Sequence, residues 1–90
     1  MGFTVLYHPQ AQKDIEGFDR KLKDRMRRAI ETRLMTEPHR YGTPLRRTLK
    51  GYWKLRVGDY RIVFKIAGVE IVILGIIHRR VVYQEIDKRT

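Results

Sequence analysis

The sequence predicts a single α+β domain spanning residues 1–90, with two N-terminal helices packed on a mostly antiparallel sheet of about four strands. Two observations support this fold class. Apolar residues recur at helical spacing in the first half of the chain, whereas the second half reads as β-rich runs separated by glycine turns. The resulting element order, β-α-α-β-β-β, keeps helices and strands in separate regions, which is typical of α+β domains.

Residues 3–8 form a short β-rich run that we predict to be the first strand. Pro9 follows and suits the first turn of a helix, where its missing N–H leaves no hydrogen bond unmade. This first helix is expected to end at Gly17 or Phe18.

A second helix is expected to begin after Asp19, which is a suitable N-cap, and to stop before Pro38. One face has the helical spacing of a core-facing stripe and is traced by Leu22, Met26, Ala29, Ile30, Arg33 and Leu34. The opposite side is strongly basic between Arg20 and Arg28, and its simplest interpretation is a solvated surface.

The remaining chain predicts a loop and three strands. Residues 39–44 contain the breakers Gly42 and Pro44, and residues 45–49 are expected to be extended. A hairpin then covers residues 52–65, with its turn at Gly58-Asp59. After a turn at Ala67-Gly68, the β-branched run 69–77 predicts a central strand covered on at least one face, whereas residues 85–90 are too short and polar to place.

Alternation along the hairpin predicts a cationic sheet face with four cations, provided that the polar sides of its two strands coincide. Lys54 and Arg56 project together from the first strand, and Arg61 and Lys65 share one side of the second. Trp53 falls on the apolar side and is expected to be a core residue. A second basic cluster follows the last strand and consists of His78, Arg79 and Arg80, with Tyr83 shortly after.

Composition limits the possible functions. Twenty Lys and Arg against ten Asp and Glu give a net charge of +10, which favours polyanionic partners such as nucleic acid or an acidic protein. No apolar run is long enough to span a membrane, and no signal peptide is evident. The absence of cysteine excludes disulfides and thiolate metal sites and fits the cytoplasm. No His spacing typical of a metal site occurs, so we expect no metal and no cofactor.

Three segments, in this order behind a strand and two helices, resemble the RelE/ParE superfamily of type II toxins: LKGYWKLR at 49–56, VGDYRIVF at 57–64 and HRRVVY at 78–83. The resemblance implies a RelE-like fold and favours the RelE branch, whose members cut messenger RNA on the ribosome and so inhibit translation. It also implies a cognate antitoxin, encoded adjacently, with an acidic or amphipathic segment that covers the toxin. DNA is expected as a partner only through the antitoxin complex.

Two alternatives remain open within this resemblance. Members of the ParE branch share the fold but inhibit DNA gyrase without acting as nucleases. A third possibility is a non-catalytic member that acts only in an antitoxin and DNA-binding complex.

The resemblance also implies roles for individual residues in metal-independent attack by the RNA 2′-hydroxyl. Arg61 and Arg79 match arginines that hold the scissile phosphate, and Tyr83 matches a C-terminal tyrosine used in stacking and proton transfer. Lys54 matches one lysine of a RelE cationic pair, but Tyr52 stands where the other lysine is expected. We therefore assign the two proton transfers to Lys54 and His78, because a histidine side chain has an ordinary pKa close to neutral pH.

Simpler interpretations apply to most of these residues. The expected RNA contacts Arg56, Lys65 and Arg80, like Lys54, could be ordinary solvated side chains on a strand or turn. His78 at a strand end is more often a structural histidine than a catalytic one. For the basic side of the second helix, the functional alternative is non-specific contact with ribosomal RNA, which would weaken steeply with salt.

Overall fold

A computed structural model describes residues 2–45 and 51–89. The strands are β1 (Thr4–Tyr7), β2 (Thr43–Pro44), β3 (Tyr52–Val57), β4 (Tyr60–Ala67) and β5 (Glu70–His78). The helices are α1 (Pro9–Glu16), α2 (Arg20–Ala29), α3 (Pro38–Tyr41) and α4 (Val82–Arg89), and α2 continues as a π-helical segment over Ile30–Leu34.

The five strands form one sheet in the order β1-β5-β4-β3-β2. Strands β3, β4 and β5 are an antiparallel meander, and β1 lies parallel to β5 with Thr4 opposite Glu70. The predicted α+β class and mostly antiparallel sheet are confirmed. The fifth strand is the two-residue β2, which pairs with β3. It lies within residues 39–44, which the sequence predicted to be a loop.

The helix starts follow from local capping. The side chain of His8 accepts a hydrogen bond from the N–H of Gln10 at 3.2 Å, and Pro9 occupies the first turn of α1. Asp19 Oδ1 accepts from the N–H of Leu22 at 2.8 Å, which confirms the predicted N-cap of α2. Both helices therefore begin where the sequence predicted, although α1 already ends at Glu16.

Two apolar layers cover the sheet, one on each face. The larger layer packs α1 and α2 against the sheet and is centred on fully buried side chains that include Leu34, Ile62, Phe64, Ile71 and Ile73. The smaller layer lies on the opposite face and contains Leu45, Val63, Leu74, Ile77, Val82 and Ile86. Burial on both faces of β4 and β5 explains the near-continuous apolar character of residues 69–77.

The second layer depends on α4, which the sequence did not place. The predicted order stopped at the last strand, but residues 82–89 form a helix that buries Val82 and Ile86 against the sheet. Residues 39–41, which belong to the predicted loop 39–44, are instead part of the short helix α3. Of the segment 45–49 expected to be extended, only Leu45 lies within the described residues, and it is buried.

An ion pair ties α4 to α1 across the edge of β5. Both oxygens of the Asp14 carboxylate accept from the Arg89 guanidinium, at 2.8 and 3.0 Å. Asp14 Oδ2 also accepts from the N–H of Ile76, and Arg89 donates to the carbonyl of Leu74. The guanidinium lies over Gly75, where any Cβ would collide with Arg89 Nη1. We call these groups the Asp14–Arg89 clamp.

No helix among residues 2–45 and 51–89 is long and apolar enough to cross a membrane.

Candidate active site on the cationic sheet face

The register of the hairpin brings four cations onto the sheet face opposite α1 and α2. Arg56 lies directly opposite Arg61, Lys54 lies opposite Val63, and Tyr52 lies opposite Lys65. We call this surface, formed by Lys54, Arg56, Arg61 and Lys65, the cationic face. The tight turn that sets this register has Gly58 at a φ of +62°, a conformation that favours glycine.

Three arginines meet at the turn end of the cationic face. The pKa of the Arg61 guanidinium is lowered, first because partial burial removes water from the charge and then because Arg56 and Arg79 repel it; Asp59 opposes the shift. Arg61 Nη1 donates to the carbonyls of Tyr60 and Gly58, at 2.9 and 3.2 Å, which holds the guanidinium near the turn.

Arg79 reaches this group through its backbone. Its N–H donates to the carbonyl of Asp59 at 2.9 Å, and its Nε lies 3.9 Å from Asp59 Oδ1. Both side chains of this ion pair are largely exposed, so the contact contributes little stability. The contact places the guanidinium of Arg79 beside the hairpin turn.

Helix α4 brings Tyr83 onto the same face. Lys54 Nζ lies 5.7 Å from the centroid of the Tyr83 ring, within cation–π distance, and the half-buried ring packs against the smaller apolar layer. Lys54 stands two residues from Arg56 on β3, a separation of about 7 Å along a strand. The lysine–tyrosine pair is therefore adjacent to the three arginines.

A second lysine–tyrosine pair occupies the far end of the face. Lys65 Nζ lies 5.8 Å from the centroid of the Tyr52 ring. Lys65 is four residues from Arg61 on β4, about 13 Å along the strand. The structure thus separates Lys65 from the arginine group.

His78 lies on the other side of the sheet. It pairs with Tyr60, and the two rings meet edge to face with centroids 5.6 Å apart. Its neighbour Ile77, opposite Arg61, occupies the cationic face instead. His78 Nδ1 accepts from the N–H of Arg80 at 3.2 Å and so orders the turn after β5. The geometry does not join His78 to Lys54 and Tyr83, and Arg80 is an exposed residue of that turn.

The arrangement suits chemistry at a phosphate. Guanidinium groups bind phosphate oxygens in a two-pronged geometry, and three of them close together stabilise added negative charge. The adjacent amine and phenol are both able to carry protons. Among the described residues, no group of three His, Asp or Glu side chains is placed to hold a metal ion.

Sequence reasoning missed what α4 contributes to this surface. Val82 and Ile86, four residues apart and both apolar, have helical spacing, but eight residues are too few for the pattern to be decisive. It also missed that Tyr52, which replaces an expected lysine, pairs with Lys65 on the same face.

Comparison with known proteins identifies the family. A family profile described as "ParE toxin of type II toxin-antitoxin system, parDE" matches residues 5–83. Toxin RelG of Mycobacterium tuberculosis is 34% identical over 90 residues, covering 93% of this chain and 99% of the relative. The chain belongs to the RelE/ParE superfamily of type II toxins.

Solved structures agree with this assignment. The toxin superposes with a TM-score of 0.82 on the M. tuberculosis toxin–antitoxin complex RelBE2, at 31% identity over 88% of this chain and all of the matched one. It also shares its fold with a mutant of the Escherichia coli toxin RelE in the free state, with a TM-score of 0.77, 16% identity, and coverage of 99% of this chain and 98% of that one.

Proposed function

We propose that this toxin is a metal-independent endoribonuclease that cuts messenger RNA on the ribosome and so inhibits translation. The observation that carries the proposal is the grouping of Arg61 with Arg56, directly opposite it, and with the charge of Arg79, on the face that also holds the Lys54–Tyr83 pair. A phosphodiester bound to the arginines would lie next to both proton-carrying groups. The proposed compartment is the cytoplasm, where ribosomes and messenger RNA are found.

The proposed reaction uses the 2′-hydroxyl of the RNA as nucleophile and side chains of the toxin for charge stabilisation and proton transfer. The 2′-oxygen attacks the adjacent phosphorus as its proton leaves, the P–O5′ bond breaks, and the 5′-oxygen takes up a proton. The products are a 2′,3′-cyclic phosphate and a 5′-hydroxyl. Arg61 and Arg79 hold the charge that accumulates on the phosphoryl oxygens, and Arg56 contributes a further contact.

Lys54 and Tyr83 are the residues to which we assign the two proton transfers. Their contact on the cationic face allows one to act on the 2′-hydroxyl while the other serves the leaving oxygen. His78 is left out of this step because its ring packs against Tyr60 on the opposite face.

Mapping of RNA ends tests the proposal. Wild-type toxin and Arg61→Ala are induced in cells, and the 5′ ends of messenger RNA are mapped within minutes. We expect new ends in phase with codons in the wild type alone. Intact messenger RNA in cells poisoned by the wild type would overturn the nuclease proposal.

The phenolic hydroxyl of Tyr83 is expected to matter more than its ring. Tyr83→Phe keeps the ring over Lys54 and removes only the hydroxyl, so cleavage by purified toxin should slow by about 100-fold, the scale of a proton-transfer group. Tyr52→Phe is the matched control, since Tyr52 also packs beside a lysine on this face. Its rate should change by less than about threefold, and equal losses in the two variants would contradict the assignment.

A second candidate function is inhibition of DNA gyrase without RNA cleavage. It is favoured by the family profile, whose description names the ParE toxin. Under this alternative, induction of the toxin leaves messenger RNA intact, and Tyr83→Phe remains toxic. The purified toxin inhibits supercoiling by purified gyrase. A toxin that is harmless when expressed alone would instead fit a non-catalytic member of an antitoxin and DNA-binding complex.

We also propose a cognate antitoxin as partner. The similar RelBE2 structure is a toxin–antitoxin complex, and a net charge of +10 favours an acidic or amphipathic segment across the cationic face. Contact with DNA is assigned to that complex. The adjacent reading frame, co-expressed with a tagged toxin, should co-purify with it and suppress its toxicity.

A further inference from the structure

A small pocket opens where α2 and its π-helical continuation meet the hairpin turn between β3 and β4. Its volume is about 210 Å³. Four of the residues that line it are arginines from two distant parts of the chain: Arg25, Arg28, Arg33 and Arg56. We call it the arginine pocket. Neither Lys54 nor Tyr83 lines this pocket, but Arg56 belongs to both the pocket and the cationic face.

The charge in the arginine pocket is uncompensated within the described residues. None of its four arginines takes part in an ion pair there; the neighbouring carboxylates of Asp24 and Asp59 pair with Arg27 and Arg79 instead. The Arg25 guanidinium rests on the turn, so a Cβ on Gly58 would lie 2.9 Å from Arg25 Nη1. Positive charges placed close together without a counter-charge repel one another, and an anion bound in the pocket lowers this repulsion.

The shape and the side chains select the kind of anion. A volume of about 210 Å³ holds a partly hydrated phosphate group, since one water takes roughly 30 Å³ in the liquid, and it is smaller than a typical pocket for a drug-sized ligand. Arginine forks match the paired oxygens of a phosphodiester. The position of Arg56 opposite Arg61 connects the pocket to the cationic face, so one extended strand could contact both.

We propose that the arginine pocket binds a backbone phosphate of the single-stranded RNA whose neighbouring nucleotides cross the cationic face. The proposal rests on the assignment of RNA to that face. It gives Arg25 and Arg28 of α2 a defined ligand, where the sequence favoured a solvated surface and offered non-specific contact with ribosomal RNA as the alternative. The pocket would then fix the register of the strand by holding a phosphate away from the bond that is cut.

Binding of an RNA that cannot be cleaved tests the pocket separately from catalysis. A single-stranded dodecamer with 2′-O-methyl groups has no free 2′-hydroxyl, so its affinity reports binding alone. The pocket variant is Arg28→Gln with Arg33→Gln. The control is Arg20→Gln with Lys23→Gln, which removes the same charge from exposed residues of α2 that line a different groove. Circular dichroism and melting temperature confirm that both variants fold.

We expect the pocket variant to bind about 10-fold more weakly than wild type in 0.1 M salt and the control to change by less than threefold. The slope of log Kd against log salt should fall by about 0.7 to 1 in the pocket variant, as for one lost phosphate contact. A 2′-O-methylated dinucleotide is too short to extend from the cationic face to the pocket, so its affinity should be the same for the pocket variant and the control.

Equal weakening in the two variants would overturn the proposal, because it would show general attraction by charge. Unchanged RNA binding in the pocket variant would overturn it too. If the pocket variant lost affinity for polyglutamate but not for RNA, the pocket would be assigned to an acidic protein segment and the proposal would also fail. These outcomes do not depend on cleavage. A wild type that binds the dodecamer through the pocket but leaves messenger RNA intact would remove the proposed nuclease function and keep the pocket.

Discussion

Arg61→Gln is expected to cleave RNA about 100- to 1,000-fold more slowly than wild type, the scale of losing one preorganised donor to a developing oxyanion. Gln keeps a polar side chain, but it is two bonds shorter than Arg and carries no charge. Lys65→Gln is the matched control, because it removes one charge from the same strand and the same face, four residues away. The cleavage rate of Lys65→Gln should fall by less than about fivefold. Similar losses in both variants would show that the rate depends on the total positive charge of the face and not on Arg61 itself.

The same Arg61→Gln variant should be close to wild type in stability, because relief of an unfavourable charge opposes the loss of the hydrogen bonds from Arg61 Nη1 to the carbonyls of Tyr60 and Gly58. Burial, Arg56 and Arg79 lower the pKa of Arg61, so the folded protein binds this proton less tightly than the unfolded chain does. This difference lowers the free energy of unfolding at every pH below the lowered pKa of Arg61. The loss disappears only at a pH above the ordinary pKa of arginine in an unfolded chain. A neutral side chain removes this loss near neutral pH. A melting temperature clearly below that of wild type would contradict this.

Breaking the Asp14–Arg89 clamp is expected to cause the largest loss of stability. The two side chains are only 18% and 10% exposed. Among the described residues, Asp14→Ala leaves the Arg89 guanidinium with only the Leu74 carbonyl and the Glu85 carboxylate, 3.7 Å away. It also leaves the N–H of Ile76 without its acceptor. Removing one partner of a buried pair costs about 3 kcal/mol or more, and in a domain of this size the melting temperature should fall by more than about 10 °C.

The control for the clamp is Asp24→Ala, which breaks an exposed ion pair of similar length with Arg27. Exposed pairs contribute little, so the free energy of unfolding should change by less than about 1 kcal/mol. Urea denaturation of both variants measures the difference. Equal effects would show that the clamp is no stronger than a surface pair.

The features that sequence reasoning predicted correctly depend on short-range rules. Alternation along a strand placed Arg56 and Arg61 on one face, and the preference of carboxylates for helix starts placed Asp19 at the N-cap. The fold class followed from the same local periodicities.

The features it missed depend on contacts between distant residues. Helix α4 buries only two side chains and is held by a pair that joins Arg89 to Asp14, which local spacing does not reveal. The position of His78 relative to Arg61 depends on the register between β4 and β5, and a shift of one residue moves every side chain to the other face. The arginine pocket joins α2 to a turn far along the chain, so the α2 sequence alone reads as an ordinary basic helix.

The parallel pairing of β1 with β5 has a consequence for how the toxin folds. The meander of β3, β4 and β5 joins strands that are neighbours in the chain, whereas Thr4 must meet Glu70 across almost the whole sequence. Closing such a long loop loses more conformational entropy, so the meander is expected to assemble first and β1 to dock late. Until β1 docks, the edge of β5 is open to pairing with another chain, which makes the nascent toxin prone to aggregation.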